Sequence, residues 1–176
     1  MTAWSILGLV PQPAGRIVSG KIWYMGENLL EKTQAEMREI RGSGLCMVMQ
    51  DPLTSLNPVF NIGKQLIECL RMDTSQPSKS LRSRATNLLA MVNIPAPETR
   101  LAAFPHQLSG GMRQRVVGAI AIARSPNVLI ADEPTTSLDA TIQLQYLKLL
   151  NEIQKETGTA IIFITHDLGI IACMCN

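Results

Sequence analysis

Two apolar runs rich in β-branched residues, 128–131 (VLIA) and 160–165 (AIIFIT), stand on either side of a segment, 140–157, whose apolar residues Ile142, Tyr146, Leu149, Leu150 and Ile153 recur at helical spacing and which stops at Gly158. Strand, helix and strand in that order predict a βαβ unit, and strands joined through a helix run parallel. No other feature constrains the chain as tightly: the fold class is α/β, with a mostly parallel sheet. Such sheets place functional groups at the carboxyl ends of their strands. Here those ends carry Asp132, Glu133 and His166.

The bulk numbers agree with one ordinary domain. Of 176 residues, 46% are hydrophobic and 17% charged, a globular composition. A formal charge of +2 is too slight to argue for nucleic acid as a partner. Lys79, Arg82 and Arg84 read as the solvated face of a helix. Cys46, Cys69, Cys173 and Cys175 are irregularly spaced, without a CxxC pair or a neighbouring histidine, so neither a zinc site nor a disulfide framework is supported and reduced thiols in a cytoplasmic protein fit best. The short Cys173-Met174-Cys175 run is weak ground for a soft-metal site. Nothing approaches the roughly 18 apolar residues that a membrane span requires, so a link to a membrane is expected to run through a partner.

Between residues 60 and 124 the pattern turns helical. Helices are predicted over 62–72, over 81–92 with Leu81, Ala85, Leu88, Leu89 and Val92 on one face, and over 112–123. Loops rich in serine, proline and polar residues, 73–80 and 95–98, separate them. The whole reads as a helical insertion in an α/β core.

Several short stretches carry chemistry. In LSGGMRQR, Ser109 suits a helix N-cap, and Gly110 and Gly111 would let a ligand approach free N–H groups at the positive end of the helix; the alternatives are a phosphate site or a capped helix and nothing more. Asp132, at a buried strand end, could hold Mg²⁺ through water, while Glu133, turned the other way, could accept a proton from an attacking water. His166 could contact a terminal phosphate or make a local hydrogen bond. Gln50, in MVMQDP after another strand-like run, could orient water or metal.

Taken in order, MQDP, LSGGMRQR, LIADEP, SLD and ITHD resemble the Q-loop, signature motif, Walker B with its glutamate, D-loop and H-loop of the ATP-binding subunits of ABC transporters. QDPLTSLNPVFNIGKQL, FPHQLSGGMRQRV and ADEPTTSLDATIQ are similar to the oligopeptide and dipeptide importer subfamily, whose near relatives import nickel or glutathione. The resemblance implies a P-loop NTPase-like core with a helical signature subdomain, divided as 1–57 (first part of the core, with the Q-loop), 58–126 (helical subdomain) and 127–176 (second part of the core). It implies ATP and Mg²⁺ as cofactors. Asp132 would hold Mg²⁺, with Gln50 coordinating nearby, sensing the γ-phosphate and coupling to the membrane subunits. Glu133 would be the general base and His166 would hold the γ-phosphate. Ser109, Gly110 and Gly111 would bind ATP seated on a second ATPase subunit, and Asp139 would contact that subunit. The segment around QDPLTSLNP would face a permease, placing the protein at the cytoplasmic face of the membrane. Cargo selectivity would lie with the permease and an external binding protein.

One family motif is missing from these residues: the Walker A loop, GxxxxGK[ST]. The near match GRIVSGKI, from Gly15, has Ile22 where a hydroxyl belongs, and it follows PQPA and continues as KIWYMGENLL, which reads as strand then turn rather than as a loop opening a helix. By resemblance it matches the strand after the P-loop helix, and residues 2–10 match that helix. The expectation is therefore a core incomplete at both ends, lacking among others the strand beside the Walker B strand, and marginally stable in isolation. Two functional readings follow: a truncated importer ATPase with little activity of its own, or a half-site donor that completes the ATP site of a full-length partner in trans.

Overall fold

In the computed structural model, which describes residues 1–49, 55–71, 77–136 and 139–174, the two apolar runs form neighbouring strands of one parallel sheet. The chain runs through helix α1 (Thr2–Ile6), a hairpin of β1 (Trp23–Tyr24) and β2 (Glu27–Asn28), helix α2 (Gln34–Ser43) and strand β3 (Leu45–Val48). The helices α3 (Ile62–Arg71), α4 (Ser78–Met91), α5 (Pro97–Arg100) and α6 (Gly110–Ile122) follow. Strand β4 (Val128–Asp132), helix α7 (Ala140–Thr157), strand β5 (Ala160–Ile164) and helix α8 (Leu168–Met174) complete it.

The sheet order is β3-β4-β5. Leu45 to Val48 pair with Val128 to Ala131 on one side of β4, and Val128 to Asp132 pair with Ala160 to Ile164 on the other. This corrects one expectation. The strand carrying Asp132 has no vacant side, because both rows of its backbone groups are taken up by β3 and β5; among the described residues the unpaired edges belong to those two strands.

Alternation along the strands sorts the core into two layers. Leu45, Met47, Val128, Ile130 and Ile164 pack with Ala3 and Leu7 of the α1 segment, Leu29, and Met37 and Ile40 of α2. Cys46, Val48, Leu129, Ile161 and Phe163 face the other way, onto α3, α4, α6 and α7. A parallel sheet covered on both faces by helices is the arrangement that the near-continuous apolar strands require.

Local chemistry explains where the elements fall. The β1–β2 turn places Met25 at φ 48° and Gly26 at φ 83°, the paired left-handed residues of a tight hairpin turn. Tyr24 Oη at the base of that hairpin receives a hydrogen bond from Asn127 Nδ2 at 2.9 Å, tying it to the entry of β4. Residues 15–22 therefore lead into a hairpin, as the rejection of GRIVSGKI as a phosphate loop anticipated. The predicted loop at 95–98 is corrected in part: Pro97 starts α5, because proline's fixed φ suits the first position of a helix. Helix α4 begins at Ser78, three residues before the start inferred from the apolar stripe alone. Helices α2 and α8 have no counterpart in the sequence reading. Among the described residues no helix is long and apolar enough to cross a membrane.

Candidate active site at the carboxyl ends of the sheet

Asp132 is the last residue of β4 and His166 follows β5 by two positions, so adjacent parallel strands deliver them to the same end of the sheet. Between them stands Glu133, whose φ of 46° is left-handed, a conformation that costs a non-glycine residue energy and is kept where surrounding contacts enforce it. Its N–H donates to Ile164 O at 2.9 Å, extending the ladder one residue beyond the strand. The reversal brings the carboxylate to His166, with Oε1 3.2 Å from Nδ1. Thr136 Oγ1 donates to Oε2 at 3.0 Å. The contact with His166, and after it the bond from Thr136, hold the Glu133 carboxyl below the usual carboxylate range.

The histidine side chain is 73% exposed and that of Glu133 29%. A wet, accessible pair of this kind can exchange proton and ligand contacts without unfolding anything. Asp132 is partly buried at the strand end. No group of three histidine, cysteine, aspartate or glutamate side chains converges on one point among the described residues. A single carboxylate suits Mg²⁺, which keeps several waters and takes its other ligands from phosphate rather than from an all-protein cage.

The Ser-Gly-Gly motif opens α6. Ser109 is its N-cap, Oγ accepting from Met112 N at 3.3 Å. The two glycines differ. A Cβ on Gly111 would lie 3.0 Å from Ile142 Cγ2, so glycine lets the first turn of α7 close on the first turn of α6. A Cβ on Gly110 would meet no described atom within 4 Å, and both Ser109 and Gly110 are exposed. Packing thus accounts for Gly111, while the bare helix end at Gly110 is left to solvent or an anion. Asp139 caps α7: its Oδ1 accepts from Thr141 N at 3.1 Å and Ile142 N at 3.0 Å. Gln50, and Ser137 and Leu138 of the SLD stretch, lie outside the described residues.

The structure therefore brings Asp132, Glu133 and His166 together, and sets Ser109, Gly110 and Gly111 beside the start of α7. Sequence reasoning missed Thr136 and Gln114. Thr136 sits in a polar turn with nothing to distinguish it from its neighbours. Gln114 had a signal, as a carboxamide on the apolar stripe of α6; it is 1% exposed, and its Nε2 donates to Pro134 O at 2.7 Å.

Comparison with known proteins bears on this geometry. The sequence profile of the family described as ABC transporter matches residues 4–136. The oligopeptide transport ATP-binding protein OppD of Bacillus subtilis (strain 168) is 48% identical over 98% of this chain and 48% of its own length. The dipeptide transport ATP-binding protein DppD of Escherichia coli (strain K12) is 44% identical over 98% of this chain and 52% of its own. The chain thus spans about half the length of these curated relatives. Among solved structures, cbiO1 from Clostridium perfringens, part of the ABC transporter complex cbiONQ, matches 98% of this chain and 64% of its own at 30% identity and a TM-score of 0.81. A dimeric ATP-binding cassette in a post-hydrolysis state, bound to ADP and Pi, matches 87% of this chain and 65% of its own at 26% identity and a TM-score of 0.75.

Proposed function

The chain belongs to the ABC transporter family, and from that membership we propose that it is the ATP-binding subunit of an ABC-type peptide importer, or one part of such a subunit. It works at the cytoplasmic face of a membrane, with permease subunits and a second ATPase subunit as partners. The names of its relatives, for oligopeptide, dipeptide and glutathione transport, support the peptide class of cargo. The division into 1–57, 58–126 and 127–176 belongs to this reading. The observation that carries it is the meeting of Glu133 and His166, 3.2 Å apart, beside Asp132 at the carboxyl ends of two adjacent parallel strands.

In the proposed mechanism Asp132 would hold Mg²⁺, with Gln50 as a further ligand by resemblance to the family, and the ion would supply neutralisation of the charge that develops on the transferring phosphoryl group. Glu133 takes the proton of the attacking water. One contact on each oxygen, from His166 on Oε1 and from Thr136 on Oε2, orients the carboxylate and leaves lone pairs to accept from the water; His166 can also turn from Oε1 to the terminal phosphate. Release also raises the basicity of the carboxylate, since those two contacts are what depress it. Ser109, Gly110 and Gly111 offer the N-terminus of α6 to the phosphate of an ATP seated on the second subunit. Asp139 keeps α7 capped through Oδ1 and meets that subunit through its other oxygen.

A second mode has its own support. GxxxxGK[ST], whose amides and lysine grip the β- and γ-phosphates, does not occur in these 176 residues, whereas the Gly110 end of α6 is open. On this mode the chain contributes little turnover alone and completes in trans the site of a subunit that has the loop. Mixing the purified chain with a complete ABC ATPase subunit of a peptide importer, and measuring phosphate release in Mg-ATP, tests both modes. Turnover should appear in the mixture, and Ser109→Arg should abolish the gain. Where this chain's own carboxylate acts, Glu133→Gln should lower turnover by about a hundredfold or more. A mixture indifferent to both substitutions would refute the assignment.

A further inference from the structure

Gln114 sits where the packing of α6 calls for an apolar residue. Val117, Gly118 and Ala121 continue the same stripe, and all are buried. A buried carboxamide is costly unless it is hydrogen-bonded. Here it keeps one bond, Nε2 to Pro134 O at 2.7 Å, and among the described residues its Oε1 has no partner. The amide lies against the Tyr146 hydroxyl, close enough to interact with it but without the geometry of a full hydrogen bond. The one well-formed hydrogen bond of this buried amide is thus the one to Pro134, the residue after Glu133.

The consequence is geometric. Glu133 N–H is tied to Ile164 O on one side, and the Pro134 carbonyl is tied to Gln114 on the other. The proline ring fixes φ of residue 134, so little torsional freedom is left between the two anchors. A left-handed glutamate at φ 46° persists when its surroundings over-determine it, and these two bonds supply that constraint. The second anchor also lies on α6, about one turn beyond the Ser109-Gly110-Gly111 end.

We propose that Gln114 is a positioning residue: by holding the Pro134 carbonyl it sets the backbone of Glu133 and makes the Glu133 turn move as one body with the Ser-Gly-Gly end of α6. A phosphate engaging that helix end then acts, through the anchor, on the carboxylate of the same chain. The inference deepens the proposed function and rests on its assignment of Glu133 and of the motif.

Amide hydrogen exchange on the full chain tests it, with Gln114→Met to remove the donor at similar volume and Tyr146→Phe as a neighbouring control. Exchange at the Glu133 amide, relative to that at Leu129 in the middle of β4, should quicken about tenfold or more in Gln114→Met and stay unchanged in Tyr146→Phe. A purely structural role would raise both amides together, and that outcome overturns the proposal. If Gln114→Met does not fold, the unmodified chain decides: the Gln114 side-chain amide should exchange in step with the Glu133 amide, and exchange as fast as that of an exposed glutamine refutes the anchor. In the mixture with a complete subunit, Gln114→Met should lower kcat about tenfold at unchanged KM, the signature of a misplaced group rather than of weakened binding. Turnover that ignores Ser109→Arg and Glu133→Gln while the exchange result holds would remove the proposed function and leave the anchor standing.

Discussion

Gly110 and Gly111 occupy consecutive positions in one helical turn, yet they meet different demands. Ile142 crowds the place where a Cβ on Gly111 would go, so Gly111→Ala requires the Ile142 side chain to give by a few tenths of an ångström. Gly110 faces open space, and alanine there should leave thermal stability unchanged or raise it by about 0.5 kcal/mol, because alanine loses less backbone entropy on folding. If the α6 end binds phosphate, Gly110→Ala should nonetheless reduce turnover with a complete subunit, since the methyl group stands between the amides and the ligand. Thermal denaturation and phosphate release on the same preparation separate the two effects, and a loss of both together would count against the site. The contrast at this scale also shows what a motif conceals: LSGG is legible as a unit in the sequence, but which glycine serves packing and which serves a ligand depends on α7, some thirty residues away.

At the scale of elements, termini were harder to read than interiors. The stripe Leu81, Ala85, Leu89 located α4, since residues one turn apart share a face, but its start at Ser78 follows Pro77 rather than the stripe. Helix α2 went unread because its interior is mostly polar, although its start was written plainly. Thr33 Oγ1 accepts from Glu36 N at 3.3 Å, and Glu36 Oε2 accepts from Thr33 N at 2.7 Å, the reciprocal pair that T-x-x-E encodes. Thr33→Ala should therefore cost about 1 kcal/mol of stability, measured by urea denaturation, and a change near zero would mean that α2 is held by Met37 and Arg41 alone. Arg41 does contribute, donating from Nε to Leu7 O at 2.7 Å and so joining α2 to the end of α1.

Over the whole molecule, the cover of the sheet is uneven. Ile130 is 0% exposed, while Ile162, its register partner on β5, is 41% exposed on a strand with one unpaired edge among the described residues. An apolar strand with an open edge is a site for association. Ile162→Thr keeps a β-branched residue and should delay the onset of light scattering at 37 °C, with a stability change within about 0.5 kcal/mol. Unaltered aggregation would place the sticky surface elsewhere. The α/β class, the βαβ unit and the identity of the groups at its strand ends are legible in the order of residues, because periodicity and strand-end position depend on local spacing along the chain. That β4 lies between β3 and β5, that Glu133 turns onto His166 and Thr136, and that Gln114 reaches Pro134 emerges from the folded chain alone. Those depend on which distant segments share a boundary, and spacing along a chain does not record distance across a sheet.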